Sequence, residues 1–480
     1  MDYSTLSKSS LQNAAKHIRS GGRRFIKKQY LNRSFFLHIH SSRVHLSSLR
    51  PGFTLGLGVA AAVLFLVLLV TGALLMLYYT PSVERAYASV KDIIFIMPGG
   101  RTIRNMHRWA GHGLVLIAFL HLARVFYTGA YSKGRTLNWI IGVALLVVTL
   151  FFSFSGYLLP WDQLAYWAVT IGANIAASFG EITDALGVTH LVNIGGFVKR
   201  LLIGGESVGQ SALTRFFMLH VLFLPILFTL LMALHFWRIR KDGGLNLPDD
   251  ADKWIRQMEV NSDKTQSSPQ KIAAWPTALW GELAVAVATL ALLVLFAYLL
   301  DAPLKEMANP AAPENPAKSP WYFVAIQELV SFSAFTGGIV IPLGFIAFLL
   351  SIPFVDKKSP GAGEWFAGPP GRRVVLQSLF FSTTATICLV FITIKLGWLR
   401  DWLPRTPQLL IILINPGTIL TALYVFWAIF IRRRTGSQRN AALALFTCAM
   451  MGLVILTVVG LFFRGPDWEF YWSPLHWPKL

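Results

Sequence analysis

Four histidines lie inside two long apolar stretches as matched pairs: His107 with His121, 14 residues apart, and His220 with His235, 15 apart. In a helix rising about 1.5 Å per residue these intervals cover roughly 21 to 22 Å, and at about 100° per residue the members of each pair lie within about 60° of one face. A membrane core is about 30 Å thick, so each helix would offer one imidazole near either side of it. Two such helices side by side would set His107 opposite His220 and His121 opposite His235, at two depths. Ionisable groups inside a membrane are costly and lean towards function. His112 lies about 140° round the helix from His107 and has no equivalent in the second stretch, so it reads as a packed structural residue.

The rest of the chain agrees with a membrane setting. Of 480 residues, 54% are hydrophobic and only 14% charged, and the mean hydropathy is +0.54, too apolar for a soluble enzyme of ordinary composition. Stretches of spanning length run over 54–79, 104–128, 137–158, 213–238, 276–300, 326–354, 376–398, 409–431 and 440–463. These predict an all-α polytopic membrane protein of about nine transmembrane helices. In the eighth, Asn415-Pro416-Gly417 interrupts the pattern and could begin a shorter span. Pro225 predicts a local bend between the two histidines of the fourth.

The net charge of +20 could suggest nucleic acid, but the basic residues fall in alternate loops, as the positive-inside rule expects. The first 53 residues hold ten Lys/Arg against one acid, Asp2. Further clusters are Lys133/Arg135, Arg238/Arg240/Lys241, Lys357/Lys358/Arg372/Arg373 and Arg432/Arg433/Arg434. The N-terminus is therefore expected in the cytoplasm, its basic arm on anionic lipid or a partner rather than on nucleic acid. Nine crossings would put the aromatic tail around Trp468, Tyr471, Trp472 and Trp477 outside.

Neutral imidazole is a good ligand for haem iron, and coordination would satisfy a nitrogen that lipid leaves unpaired. Two haems clamped by the four histidines would make the chain an electron conductor. Gly58 and Gly72 in the first stretch, and Gly142 and Gly156 in the third, repeat the interval of 14. Glycine lets a flat macrocycle approach a helix backbone, although small-residue helix packing uses it too. Arg108, Arg124 and Arg215 lie within five residues of a histidine and could pair with haem propionates; headgroup snorkelling is an equal reading for Arg124. The cysteines, Cys388 and Cys448, fall in different stretches without a CxxCH attachment motif, so the haems would be non-covalent b-type groups with no covalent haem.

A polar segment divides the chain, holding Gly243-Gly244, Pro248-Asp249-Asp250 and the run from Ser262 to Pro269. The expected parts are a basic cytoplasmic arm (1–53), a four-helix di-haem bundle (54–238) and a cytoplasmic linker (239–275). C-terminal helices shaping a substrate site (276–400) and extra C-terminal helices with the aromatic tail (401–480) would follow.

MHRWAGH at 106–112, HLARVFYTGAY at 121–131, SGYLLPWDQLAYWAV at 155–169 and SVGQSALTRFFMLH at 207–220 resemble the cytochrome b of quinol–cytochrome c reductases, in both the respiratory bc and photosynthetic bf branches. PWDQ, SVGQS and the 15-residue interval are closer to the bf branch. AAWP at 273–276 and NPAKSPWYF at 315–323 resemble the family's C-terminal portion, here fused to the first. The resemblance implies that His107 and His220 hold an outer haem and His121 and His235 an inner one. It also implies a Rieske iron–sulfur protein and a cytochrome c-type subunit as partners, in a homodimeric complex of a bacterial inner membrane.

The family's outer quinol site usually reads Pro-Glu-Trp-Tyr, its glutamate accepting a proton; here Ser319, Pro320, Trp321 and Tyr322 stand in those places. Glu328, about one and a half turns beyond Tyr322, is expected either as a substitute acceptor or as a carboxylate paired elsewhere. The cysteine that holds a third haem in the bf branch is replaced by Gly56. Lys241-Asp242 resembles a pair at the inner quinone site, making Asp242 a proton donor there or a solvated loop carboxylate. The function so implied is quinol oxidation between the Pro160-Trp161-Asp162-Gln163 region and Trp321/Tyr322. The two electrons would separate, one to the Rieske partner and one across the membrane to quinone, with proton translocation. Two other readings stay open: a di-haem membrane anchor that exchanges electrons between quinone and a peripheral partner without separating them, and a haem-free transporter with a histidine proton relay.

Overall fold

The computed structural model describes residues 43–49, 51–132, 134–242, 244–245, 271–356 and 361–478. Most of the expected basic arm, most of the linker including Pro248 to Pro269, and Lys133, Gly243, Lys357 and Lys358 lie outside the described residues. Among the described residues nine helical spans are long and apolar enough to cross a membrane: Leu57–Met76, Gly100–Tyr127, Thr136–Tyr157, Gln210–Lys241, Thr277–Leu299, Thr336–Val355, Trp365–Trp402, Gln408–Thr435 and Gln438–Phe463. They are called the first to ninth spans. The end at which the second and fourth begin is called outer, after the charge distribution. Many side chains on their flanks, such as Val70, Leu230, Phe380 and Phe426, are apolar and exposed, the reverse of a water-facing surface.

The first span packs on the second, the third on the fourth, and the fifth against the first two. The sixth lies against the third, while the seventh, eighth and ninth pack on one another. A core of Phe126, Trp139, Leu349, Val374, Ile431, Leu443 and Phe446 joins the two groups. Below the first and fifth spans, Arg43–His45 and Lys271–Ala273 form a two-stranded antiparallel ribbon, Arg43 opposite Ala273.

Local chemistry sets the boundaries. Asn415 caps the helix Pro416–Thr435, its side chain accepting from Thr418 N at 3.1 Å, so the eighth span is broken where Asn-Pro-Gly predicts. Gly436, at φ 64, ends it, and Ser437 caps the ninth. The fourth span passes through a wide π-helical turn, Leu219–Phe223, just before Pro225. Proline lacks an N–H and its ring collides with the carbonyl four residues back; a widened turn relieves both. The expected continuous stretch 326–354 is instead a short helix Trp321–Val330 followed by the sixth span. Hydroxyls split it: Ser331 Oγ donates to Glu328 O at 2.7 Å and Ser333 Oγ accepts from Thr336 N at 3.2 Å, backbone competition that hydropathy does not register.

The two halves are stitched together at the outer end. Asp162 caps the helix Gln163–Ala177 through Oδ1 and accepts from Lys305 N through Oδ2 at 3.0 Å. Gln163 N donates to Glu306 O and Gln163 Oε1 accepts from Asn309 N, at 2.8 and 2.7 Å. Arg101 Nε donates to Asp301 Oδ1 at 2.7 Å.

Candidate functional site

The second and fourth spans bring the histidines together as pairs. The ring centroids of His107 and His220 are 6.2 Å apart with planes at 73°; those of His121 and His235 are 6.5 Å apart at 78°. Two in-line metal–nitrogen bonds of about 2 Å, with each ring centre roughly 1.2 Å behind its nitrogen, give a centroid separation of about 6.4 Å. Both pairs fit one metal ion held between two imidazoles.

In the outer pair the other ring nitrogens are anchored. His107 Nδ1 lies 2.9 Å from Thr71 Oγ1, whose own proton goes to Val67 O at 2.7 Å. His220 Nδ1 lies 3.2 Å from Ser155 Oγ, which donates to Phe152 O at 3.2 Å. Each hydroxyl proton is engaged, so each imidazole donates Nδ1–H and keeps the Nε2 lone pair for a ligand. In the inner pair, His121 Nδ1 and His235 Nδ1 are buried without a hydrogen bond of ordinary geometry among the described residues, although the Asn138 carbonyl approaches His235. Sequence reasoning missed Thr71 and Ser155. A signal exists: a hydroxyl residue precedes each outer glycine, Thr71-Gly72 and Ser155-Gly156, whereas Leu57-Gly58 and Ile141-Gly142 lack one.

The four glycines stand where the interval predicts, each against one imidazole. A Cβ at Gly58 would meet His121 Cε1 at 3.6 Å, at Gly72 His107 Cε1 at 3.2 Å, at Gly142 His235 Cε1 at 3.7 Å, and at Gly156 His220 Cε1 at 2.5 Å. The space they leave is thus occupied first by the imidazole. The first span serves the histidines of the second, and the third those of the fourth. Between the two levels sits an apolar layer of Phe65, Leu114, Val148, Leu224 and Phe228, with Phe65 and Phe228 ring centroids 4.3 Å apart.

The three arginines differ. The Arg108 guanidinium lies over the Tyr157 ring at 5.1 Å. Arg124 is buried at the inner level. Arg215 is exposed, and its Nη1 donates to Leu201 O at 2.5 Å and Arg200 O at 3.2 Å, carbonyls at the C-terminal end of the helix Ile194–Ile203.

At the outer end Trp321 and Tyr322 open the helix Trp321–Val330, beside the second span. Trp321 Nε1 donates to His112 Nδ1 at 3.0 Å, and the His112 and Tyr322 rings are 5.7 Å apart. His112 is packed against aromatic rings and hydrogen-bonded, as expected of a structural residue, and its partner lies 209 residues away. Glu328 requires correction as a substitute proton acceptor. It is fully buried, and Arg464 Nε donates to both its oxygens at 3.1 and 3.0 Å, Arg464 Nη2 to Oε1, and Trp468 Nε1 to Oε2 at 2.9 Å. Its lone pairs are engaged by the C-terminal tail, so it is the paired carboxylate of the two expected alternatives.

At the inner end Asp242 is also no solvated loop residue. Arg238 Nη2 donates to Oδ1 at 2.6 Å, and both side chains are largely buried. Asp242 Oδ2 is buried with no partner among the described residues.

Residues 44–243 match the family model described as Cytochrome b/b6/petB. Cytochrome b6 of Prochlorococcus marinus (strain MIT 9303) is 42% identical over 187 residues, 39% of this chain and 80% of that protein; cytochrome b6 of Synechococcus sp. (strain WH7803) is 41% identical over the same shares. The fold is similar to a solved chain of a hyperthermophilic respiratory Complex III, with a TM-score of 0.60 and 24% identity, covering 86% of this chain and 96% of that one. That likeness speaks for the fold, and the two b6 proteins speak for descent. A match of this identity over four-fifths of a relative's length, carried on spans that bring the four histidines face to face, means that the chain belongs to the cytochrome b/b6 family.

Proposed function

We propose that this chain is the di-haem cytochrome b subunit of a quinol–cytochrome c oxidoreductase in a bacterial inner membrane, its N-terminus in the cytoplasm. Quinol would be oxidised near the outer face and quinone reduced near the inner, with proton translocation. The observation that carries the reading is the pair of facing imidazoles at each of two depths, separated by an apolar layer, in a member of this family. Two b-type haems, when bound, would supply reversible one-electron chemistry at those depths.

His107 and His220 would hold the outer iron, His121 and His235 the inner one. Thr71 and Ser155 fix the ring orientation of the outer pair, and Gly58, Gly72, Gly142 and Gly156 make room for the imidazoles. Arg108, Arg124 and Arg215 are assigned to the propionates, and Phe65, Leu114 and Phe228 keep water from the gap. Trp321 and Tyr322 line the quinol pocket with the 160–163 segment, an apolar aromatic lining of the kind flat ligands take. Asp242, with one oxygen oriented by Arg238 and the other without a partner among the described residues, is the proton donor to the inner quinone. The quinol's two electrons would go to different acceptors, one on a Rieske iron–sulfur protein feeding a cytochrome c-type subunit, the other on the inner quinone. The working unit would be a homodimeric complex. Residues 54–238 would form the haem bundle and 276–400 the quinol-site helices, while 401–480 add helices that secure Glu328.

The test is purification of the complex in mild detergent from its native membrane. Two haems per chain, a co-purifying Rieske protein and quinol-dependent cytochrome c reduction are expected. A colourless chain, or full haem content after any one of the four histidines is replaced by alanine, would refute it. A second reading, a di-haem anchor that passes electrons without separating them, draws support from the engagement of Glu328 by Arg464, which leaves the outer site without that carboxylate. Haems that quinol reduces in a preparation lacking any Rieske protein would favour it.

A further inference from the structure

His112 is held in a way that the four paired histidines are not. Five residues beyond His107, it lies about 7.5 Å deeper along the helix and faces away from the haem gap. Three aromatic side chains surround it. Trp109 is at a ring-centroid distance of 5.4 Å, Tyr322 at 5.7 Å and edge-on, and Trp321 donates to Nδ1 at 3.0 Å. An indole N–H can only donate. His112 Nδ1 is therefore the bare, accepting nitrogen, and the neutral ring must carry its proton on Nε2. That atom is buried and has no partner among the described residues. A buried N–H without an acceptor is destabilising, and unpaired polar groups of this kind mark a missing ligand or water.

We propose that His112 donates a hydrogen bond from Nε2 to a ring oxygen of the quinone substrate at the outer site, an inference that rests on the quinol-oxidoreductase reading. The acceptor is a carbonyl oxygen in the quinone and a phenolic oxygen in the quinol; both accept from an N–H. The aromatic walls suit a flat apolar ring, and Trp109 is itself tied by Nε1 to Leu300 O at 2.7 Å, so the wall is rigid. His112 thus binds and orients the ring. It does not remove the quinol proton at this atom, because Nε2 already holds a proton while Trp321 fixes the tautomer. Trp321 acts through His112 as a positioning residue.

The experiment uses the whole haem-loaded complex. Equilibrium binding of a tritiated short-chain quinone to the oxidised complex is measured alongside KM and kcat for the matching quinol, and haem content is followed throughout. His112→Asn keeps an acceptor for Trp321 but stops short of the ligand; Kd and KM are expected to rise roughly 5- to 10-fold with two haems retained and kcat less affected. His112→Gln extends an amide N–H to the place of Nε2 and is expected to recover most of that loss. Equal Kd values for wild type, Asn and Gln would mean that a buried water satisfies the N–H, and would overturn the proposal. Should His112→Asn fail to assemble, His112→Leu, which has no N–H, is compared with His112→Gln; weaker quinone binding by the Leu variant alone supports the proposal, and equal binding by both overturns it. A wild-type complex that binds no quinone and reduces no cytochrome c with quinol would instead sink the function itself. Binding by wild type and His112→Asn alike sinks only the role of His112.

Discussion

If the two histidine pairs hold haems as proposed, Gly156→Ala should damage one haem site and leave the other intact. A Cβ at Gly156 would stand 2.5 Å from His220 Cε1, 2.9 Å from Nδ1 and 3.0 Å from Nε2. The nearest of these contacts is about 0.9 Å short of the 3.4 Å at which ordinary contact begins. The imidazole must move by about that amount, beyond the ~0.5 Å within which a ligand set has to be held, and its 3.2 Å hydrogen bond to Ser155 goes with it. Overpacking of this kind costs about 1–3 kcal/mol, which corresponds to roughly 5- to 150-fold weaker retention of the outer haem. At Gly142 the same methyl group would touch His235 at 3.7 Å, an ordinary contact, so Gly142→Ala is the matched control. Gly72→Ala, at 3.2 Å, should lie between them. Pyridine haemochrome stoichiometry on the purified chain, with redox titration of the reduced-minus-oxidised spectrum, reads the result. Gly156→Ala is expected to fall from two haems towards one, the survivor keeping its wild-type potential. Two unperturbed haems in Gly156→Ala, or equal losses in Gly156→Ala and Gly142→Ala, would refute the geometry.

Arg464→Met would leave Glu328, which is fully buried, with only the Trp468 indole as a side-chain donor among the described residues. Removing one partner of a buried ion pair costs about 3–5 kcal/mol, so thermal melting by circular dichroism should shift down, with recovery in Glu328→Leu/Arg464→Met; a wild-type melting curve for the single variant would contradict this. Thr71→Val removes the acceptor of the His107 Nδ1–H and makes that imidazole a weaker donor to iron. The outer haem potential should rise while the inner one stays, and equal shifts in both would exclude the assignment. The Asp301 carboxyl is held down to about 2 by its hydrogen bonds to Arg101 and Asn105. A depressed carboxylate stabilises the fold fully above about pH 4 and loses that contribution as pH falls towards 2. Asp301→Asn should therefore flatten acid unfolding in that window, and an unchanged slope would remove the link.

The spans, their charge asymmetry and the histidine and glycine intervals were legible because each is a local property. Hydropathy over about twenty residues decides whether a helix can cross a membrane, and helical periodicity decides which side chains share a face. Even the break at Asn415-Pro416-Gly417 was readable, since capping is a matter of three or four residues. The pairing of Arg238 with Asp242, an i,i+4 contact, was equally within reach. The split of the sixth stretch was hidden because Ser331 and Ser333 act through hydroxyl–backbone bonds while leaving the segment apolar overall.

The partners of Glu328 and His112 were decided in three dimensions. Glu328 acquires Arg464 from 136 residues away and so becomes part of a buried ion pair rather than an acid at the quinol site. His112 acquires Trp321 from 209 residues away, and that one donated proton sets which nitrogen of the ring carries its own. A sequence specifies the groups that can ionise or donate, and the depth at which each lies. Which partner each one meets depends on how separate helices pack, and for a buried polar group the partner determines the chemistry, because no water is present to replace it.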